Sequence, residues 1–255
     1  MGEKLGQHFL TDPETARRIA GVLEIQENED ILEIGPGKGF LTSYLLEEGA
    51  AVTGIEIDIR MVECLKNKFK NTRLRIINED FLMVDLEEYK ISKICGNIPY
   101  QLCGKIIEKT VKTGFNWKTA VLMLPDAVAR RVVAEPGSSD CSFLSVMCGA
   151  NCSANIEFGV DKDSFDPPPK VNSSIVKFKR NSDPEAEYFY RVVKGAFSNR
   201  RKTIKNSLSI FFSVSQEKIE EVLRSADIPQ SVRAQEVRIE QFKRLANEFV
   251  NKGIL

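Results

Sequence analysis

Histidine is almost absent from this chain: His8 is the only one in 255 residues. The six cysteines (Cys64, Cys95, Cys103, Cys141, Cys148 and Cys152) form no CxxC pair. That spacing does not make a zinc site, and no metal is expected. Nor does it make a disulfide framework. Several of these cysteines sit in apolar runs and are expected to be reduced, buried thiols of a cytosolic protein. No apolar run approaches the length of a membrane span, and the first residues lack the apolar core of a signal peptide. Met1-Gly2 hints at myristoylation, but Gly6 stands where Ser or Thr is required. A cytoplasmic protein without a membrane partner is expected. Excess charge is missing too, since Lys+Arg and Asp+Glu both number 36. Such a balance does not decide for or against nucleic acid, because one face can still be basic.

What is present is ordinary for a globular chain, with 42% hydrophobic and 28% charged residues. The length suits one large domain plus a small one. Residues 31–34, 51–57, 74–77, 91–95 and 120–124 read as short apolar strands. Residues 38–48, 59–70, 102–113 and 126–134 read as amphipathic helices between them. This βα alternation predicts a mostly parallel, Rossmann-like sheet covered on both faces. Residues 155–160 and 174–178 read as two more strands with no helix between them, an antiparallel pair closing the sheet edge. A polar stretch, Arg180-Asn181-Ser182-Asp183, precedes Pro184 and marks the expected boundary between a domain 1–182 and a domain 183–255. Beyond it the pattern is helical only, over 185–197, 203–212, 216–226 and 239–251.

Gly35, Gly37 and Gly39 fall between the first strand and its helix. They permit a tight turn and close backbone approach to a ligand, and the helix start favours an anion. Phe40 breaks the dinucleotide pattern, which needs glycine there. Taken alone, the loop is equally a tight βα turn. Glu56 ends the second strand about 20 residues on, where an acid can accept from both ribose hydroxyls. Asp58 points to the same side or caps the next helix. Asp80 follows the third strand beside Phe81. It suits an adenine amino group, with an apolar neighbour on the ring, as well as it suits a turn cap. Three such features at successive strand ends favour a shared nucleoside ligand.

Asn97-Ile98-Pro99-Tyr100 follows the next strand. An amide, a rigid Pro and an aromatic ring can grip a flat amino-substituted ring by edge and face. By itself the stretch is as readily a β-turn with a packed Tyr. Beside the glycine loop it predicts methyl transfer from S-adenosylmethionine (SAM) to the exocyclic amine of a flipped nucleobase. The Asn97 oxygen and the Ile98 carbonyl would accept from both amine hydrogens and favour a tetrahedral, nucleophilic nitrogen. If Tyr100 only stacks, a Tyr100→Phe change is expected to be nearly silent. No metal or strong base is required, because the sulfonium already activates the methyl group.

Across nearly its whole length the chain resembles the ribosomal RNA adenine N6,N6-dimethyltransferases. The resemblance rests on motifs in order: Gly6-Gln7-His8-Phe9-Leu10, Glu33-Ile34-Gly35-Pro36-Gly37-Lys38-Gly39, Ile55-Glu56-Ile57-Asp58, Asp80-Phe81 and Asn97-Ile98-Pro99-Tyr100. It continues through residues 165–173 (FDPPPKVNS), 197–203 (FSNRRKT) and Arg233-Ala234-Gln235-Glu236. It implies a class I SAM-dependent methyltransferase fold with a small all-α C-terminal domain. It implies SAM contacts from His8, Leu10, Gly35, Gly37, Glu56, Asp80 and Asn97, and a base sandwiched between Tyr100 and Phe165. The chain departs from the family at Pro125-Asp126 (usually Gln-Lys) and at Cys141-Ser142-Phe143, which are expected to reshape the RNA-facing edge of the pocket. Only Met1–Leu5 precede Gly6, so a long basic N-terminal arm is not expected.

Arg191, Lys194, Arg200, Arg201, Lys202 and Lys205 cluster without an intervening acid. A charge run is by default a solvated helix face; its coincidence with a family motif favours RNA contact instead. The resemblance implies dimethylation of two adjacent adenosines in the 3′-terminal hairpin of small-subunit rRNA, in a pre-ribosomal particle, by a monomer. The alternatives are a large-subunit dimethyltransferase of the macrolide-resistance type, and an assembly or transcription factor on the same fold.

Overall fold

The computed structural model describes residues 8–112, 117–181 and 185–255. Gly6, Gln7 and the expected junction at 182/183 lie outside the described residues. The chain opens with β1 (Phe9–Leu10), α1 (Pro13–Leu23), β2 (Asp30–Ile34), α2 (Phe40–Glu47), β3 (Ala51–Glu56), α3 (Ile59–Lys68) and β4 (Leu74–Asn78). It continues through β5 (Lys93–Asn97), α4 (Cys103–Lys112), β6 (Thr119–Pro125), α5 (Asp126–Val132), α6 (Phe143–Asn151), β7 (Cys152–Val160), β8 (Phe165–Asp166) and β9 (Ser173–Arg180). Four helices follow: α7 (Glu187–Ala196), α8 (Ile204–Phe212), α9 (Gln216–Ser225) and α10 (Ile239–Asn251).

Seven strands form one sheet in the order β4-β3-β2-β5-β6-β9-β7. Neighbours from β4 to β6 pair in parallel, and β9 runs antiparallel to β6. The expected mostly parallel sheet with an antiparallel edge is therefore present. Its inner strands are buried on both faces, which is why Ile31-Leu32, Ile94-Cys95 and residues 120–124 read as continuous apolar runs. Ile34 lies opposite Ile55 on one side and Gly96 on the other. A Cβ on Gly96 would fall 2.6 Å from the Ile34 carbonyl oxygen, so only glycine fits. β3 and β4 extend to one side of β2, while β5 and β6 return on the other. The crevice at the carboxyl ends of β2 and β5 is thus a topological switch point.

The sequence reading differs from the structure at several places. The strand expected at 91–95 lies at Lys93–Asn97, because Lys93 is accommodated in the sheet by an ion pair with Glu29 at 2.6 Å. Helices α1 and α6 have no counterpart among the expected elements. The start of α1 is encoded by Asp12, whose carboxylate accepts from the Thr15 N–H at 2.9 Å, and by Pro13 in the first turn. Helix α6 is nearly apolar throughout and carries little helical periodicity in its sequence. The short β1–β8 pair likewise has no counterpart there; it sets Phe9 against Asp166 and Leu10 against Phe165.

The chain divides into two compact units, residues 1–129 with 153–180, and residues 130–152 with 181–255. Residues 130–152, expected with the first domain, group with the second because α6 packs on α7 and α10. In that unit Phe242 stacks on Phe197 at 6.0 Å between ring centroids, and Phe249 meets Phe212 at 4.9 Å. Asn151 holds its interior polar link, with Oδ1 accepting from the Tyr190 hydroxyl at 2.8 Å. Among the described residues no helix is long and apolar enough to cross a membrane.

Candidate active site

A cavity of about 280 Å³ opens at the carboxyl ends of β2 to β5. Each strand delivers one polar feature to it. After β2 comes the glycine turn, with Gly35, Gly37 and Gly39 all at positive φ. A Cβ on Gly37 would meet the Phe9 ring at 3.0 Å. The turn is held by Glu56 at the end of β3, whose side chain is 3% exposed. Its Oε2 accepts from the Gly37 N–H at 2.9 Å and its Oε1 from the Asp58 N–H at 2.9 Å. Each oxygen keeps a lone pair for a further donor. The Asp58 carboxylate itself caps α3, accepting from the Arg60 N–H, and the Arg60 guanidinium beside it holds it below the usual carboxylate range. The helix-cap reading of Asp58 is therefore the structural one.

After β4, Asp80 lines the cavity while its Oδ1 accepts from the Leu82 N–H at 2.9 Å, so it is a turn cap and a wall residue together. Phe81 beside it is buried and also lines the cavity. At the end of β5, Asn97 Nδ2 donates to the His8 carbonyl at 2.8 Å. A carbonyl can only accept, so this bond identifies the amide nitrogen and leaves Oδ1 as the atom for a ligand. The His8 ring Nδ1–H donates to the Pro167 carbonyl at 2.7 Å. Tyr100 lies 5.7 Å from the His8 ring at 39°, and its hydroxyl is 3.0 Å from Ser173 Oγ. Burial raises the Tyr100 phenol above its ordinary pKa. Burial likewise pushes the neighbouring Cys103 thiol up to about 12, so it is no thiolate nucleophile.

The cavity thus brings together His8, Leu10, Gly35, Gly37, Glu56, Asp80, Asn97, Ile98, Pro99 and Tyr100. It does not bring Phe165. That ring is 3% exposed and belongs to the core cluster with Leu10, Ile19 and Val160. On the two-residue strand β8, Phe165 turns inward and Asp166 outward, as strand alternation dictates. The aromatic neighbour of Tyr100 is His8, not Phe165.

Two residues to which the sequence reading gave no role stand out. Glu33 lines the cavity at 2% exposure, accepting from the Thr42 hydroxyl at 2.6 Å. Burial, aided by the nearby Glu56 charge, raises its pKa to about 7. An acid inside an apolar strand just before a glycine turn is the signal that marks it. Ser173 is 1% exposed, and in the sequence only its place at the end of FDPPPKVNS marks it.

In the second unit, Arg191, Lys194, Arg200, Arg201 and Lys202 are exposed. Arg200 donates to the Ser139 carbonyl, and Lys205 forms an ion pair with Glu220 at 2.8 Å. The six cations are therefore not equivalent.

The sheet order, the glycine turn at its switch point and the acids at successive strand ends define a class I SAM-dependent methyltransferase. The chain belongs to the ribosomal RNA adenine dimethylase family, whose pattern it matches over residues 2–251. It is 38% identical to the ribosomal RNA small subunit methyltransferase A of Mesomycoplasma hyopneumoniae, over 98% of this chain and 96% of that one. It is 40% identical to the protein of that name from Parabacteroides distasonis, over 80% and 79%. The structure is similar to a dimethyladenosine transferase from Plasmodium falciparum, with 26% identity, TM-score 0.82 and coverage of 96% and 98%. It is also similar to the 23S rRNA methyltransferase ErmE, with 28% identity, TM-score 0.70 and coverage of 94% and 98%. Family and fold imply SAM as methyl donor. The residues fit that molecule: a buried carboxylate with spare lone pairs, a glycine turn where a side chain would crowd Phe9, and an apolar wall at Phe81.

Proposed function

We propose that this chain dimethylates the N6 amines of two adjacent adenosines in the 3′-terminal hairpin of small-subunit rRNA. It acts as a cytoplasmic monomer on a pre-ribosomal particle. The relatives named as small-subunit methyltransferases support this choice of substrate. The observation that carries the chemistry is the Asn97 amide, its nitrogen engaged by the His8 carbonyl and its oxygen left for an incoming amine.

SAM, bound at this site, supplies a methyl group already activated by its sulfonium. Glu56 would accept from the ribose hydroxyls and Asp80 from the adenine amine, and the turn at Gly35 and Gly37 would let backbone approach the ligand. His8 and Leu10 close the wall. The target adenine leaves its stack and lies against Tyr100. Asn97 Oδ1 and the Ile98 carbonyl accept from its two N6 hydrogens. This favours a tetrahedral nitrogen with its lone pair free to take the methyl group that bound SAM would supply. One N6 proton then leaves to water. Pro99 fixes the turn that holds both acceptors. Phe165 serves by packing under Leu10 through the β1–β8 pair rather than as a second stacking face. Exposed Arg191, Lys194, Arg201 and Lys202 contact phosphates; Arg200 and Lys205 support them from their own hydrogen bonds.

The test supplies labelled SAM separately with small-subunit particles, large-subunit particles and free rRNA, then maps the modified nucleotides. Label in N6,N6-dimethyladenosine at two adjacent small-subunit positions is expected. Label on large-subunit rRNA would move the chain to the macrolide-resistance type, and no label on any substrate would leave an assembly factor.

A further inference from the structure

Ser173 and Ser174 begin β9, opposite Pro125 and Leu124 of β6. Adjacent strand residues face opposite sides. Ser174 Oγ donates to Asp126 Oδ1 at 2.6 Å, tying β9 to the start of α5. Ser173 Oγ lies 3.0 Å from the Tyr100 hydroxyl, tying the same strand to the turn after β5. The only other hydrogen-bond partner of that hydroxyl among the described residues is the Val171 carbonyl, at 3.5 Å and therefore weak. His8 meets the Tyr100 ring at a tilt of 39° and so does not clamp its plane. The hydrogen bond to a fully buried serine is what fixes the phenol end of a ring that otherwise turns about two side-chain bonds.

We propose that Ser173 is a positioning residue for the methyl transfer, holding the Tyr100 hydroxyl so that the ring presents its face to the target adenine. The inference rests on the reading of Tyr100 as the stacking surface. It makes the phenol oxygen part of the site and reverses the expectation that Tyr100→Phe is nearly silent.

The experiment is a double-mutant cycle on the full chain, using Ser173→Ala, Tyr100→Phe and both together. Single-turnover methylation of small-subunit particles is followed at several RNA concentrations, with SAM affinity measured in parallel. Each single variant is expected to lower kcat/KM for RNA by about three- to tenfold, the equivalent of one neutral hydrogen bond. The double variant is expected to lose no more than either single one, with SAM affinity unchanged. A merely structural serine would instead lower SAM affinity or add its loss to that of Tyr100→Phe, and either result overturns the proposal. If Ser173→Ala fails to fold, Tyr100→Phe decides alone, because it removes the hydroxyl without touching the strand; a wild-type rate refutes the inference. Tyr100→Ala separates the two levels. If Tyr100→Ala is slow while Tyr100→Phe is not, only the role of Ser173 falls. If Tyr100→Ala is itself silent, the stacking reading falls with it.

Discussion

Replacing Glu56 by glutamine perturbs the cofactor half of the site with almost no change in shape. Both carboxylate oxygens accept from backbone N–H groups, Gly37 on one side and Asp58 on the other. A glutamine amide has one oxygen and one NH2 group. Whichever way it turns, its NH2 faces an N–H, so one charged hydrogen bond is lost and a donor is set against a donor. Losing such a bond costs about 1.5–3 kcal/mol. The glycine turn shifts, and the acceptor for the ribose weakens together with it. At roughly 1.4 kcal/mol per decade, SAM affinity is expected to fall about tenfold to a hundredfold. Calorimetric titration of the variant with SAM measures this, and urea unfolding reports whether the chain is still folded. A folded Glu56→Gln protein with wild-type SAM affinity would refute the assignment of Glu56 as the residue that joins loop and cofactor.

Two further predictions concern protons and salt. Glu33, with its pKa raised from 4.5 to about 7 by burial, binds its proton more tightly in the folded than in the unfolded chain. Its contribution to stability is therefore full below pH 4.5 and lost as pH rises towards 7, roughly 3 kcal/mol in all. Glu33→Gln keeps an acceptor for Thr42 and should flatten that part of the pH dependence in urea unfolding; an unchanged profile would contradict it. Arg201→Ala with Lys202→Ala should reduce the slope of log K for RNA against log salt by roughly 1.5, with SAM affinity intact. Lys205→Ala, which breaks an ion pair with Glu220, should leave that slope nearly unchanged.

The parts of the fold legible in the sequence are those where one physical constraint dominates. Strands β2 and β6 are buried on both faces and read as apolar runs. Glu56 and Asp80 read clearly because they sit where β3 and β4 stop, whereas Glu33 lies inside β2. Lys93 shows where this fails: a lysine inside an inner strand is readable only once its partner Glu29, 64 residues away, is in place. Helix α6 is illegible in the sequence because burial leaves it no polar face. The location of Phe165 depends on the pairing of two-residue strands 155 residues apart, which no local pattern encodes. The hydroxyl of Tyr100 looked incidental because its partner, Ser173, is brought to it by the antiparallel strand β9. Residues 130–152 group with the helical unit through the packing of α6 on α7 and α10, which is tertiary information.

The central claim is that Asn97 Oδ1 accepts from the amine being methylated. Asn97→Ala removes that acceptor and also releases the His8 carbonyl, so SAM binding must be measured separately and then saturated. Hydrogen bonds to the reacting nitrogen strengthen as it becomes tetrahedral, so the loss should fall on the rate. It is expected to be about 2–4 kcal/mol, by analogy with removing a preorganised electrostatic group. Unmodified and N6-monomethylated RNA should both be slowed, the monomethylated substrate more, because it has one N–H left to orient. The measurement is the single-turnover rate of Asn97→Ala at saturating SAM and RNA. A rate reduced on that scale is predicted; a rate near wild type would contradict the account.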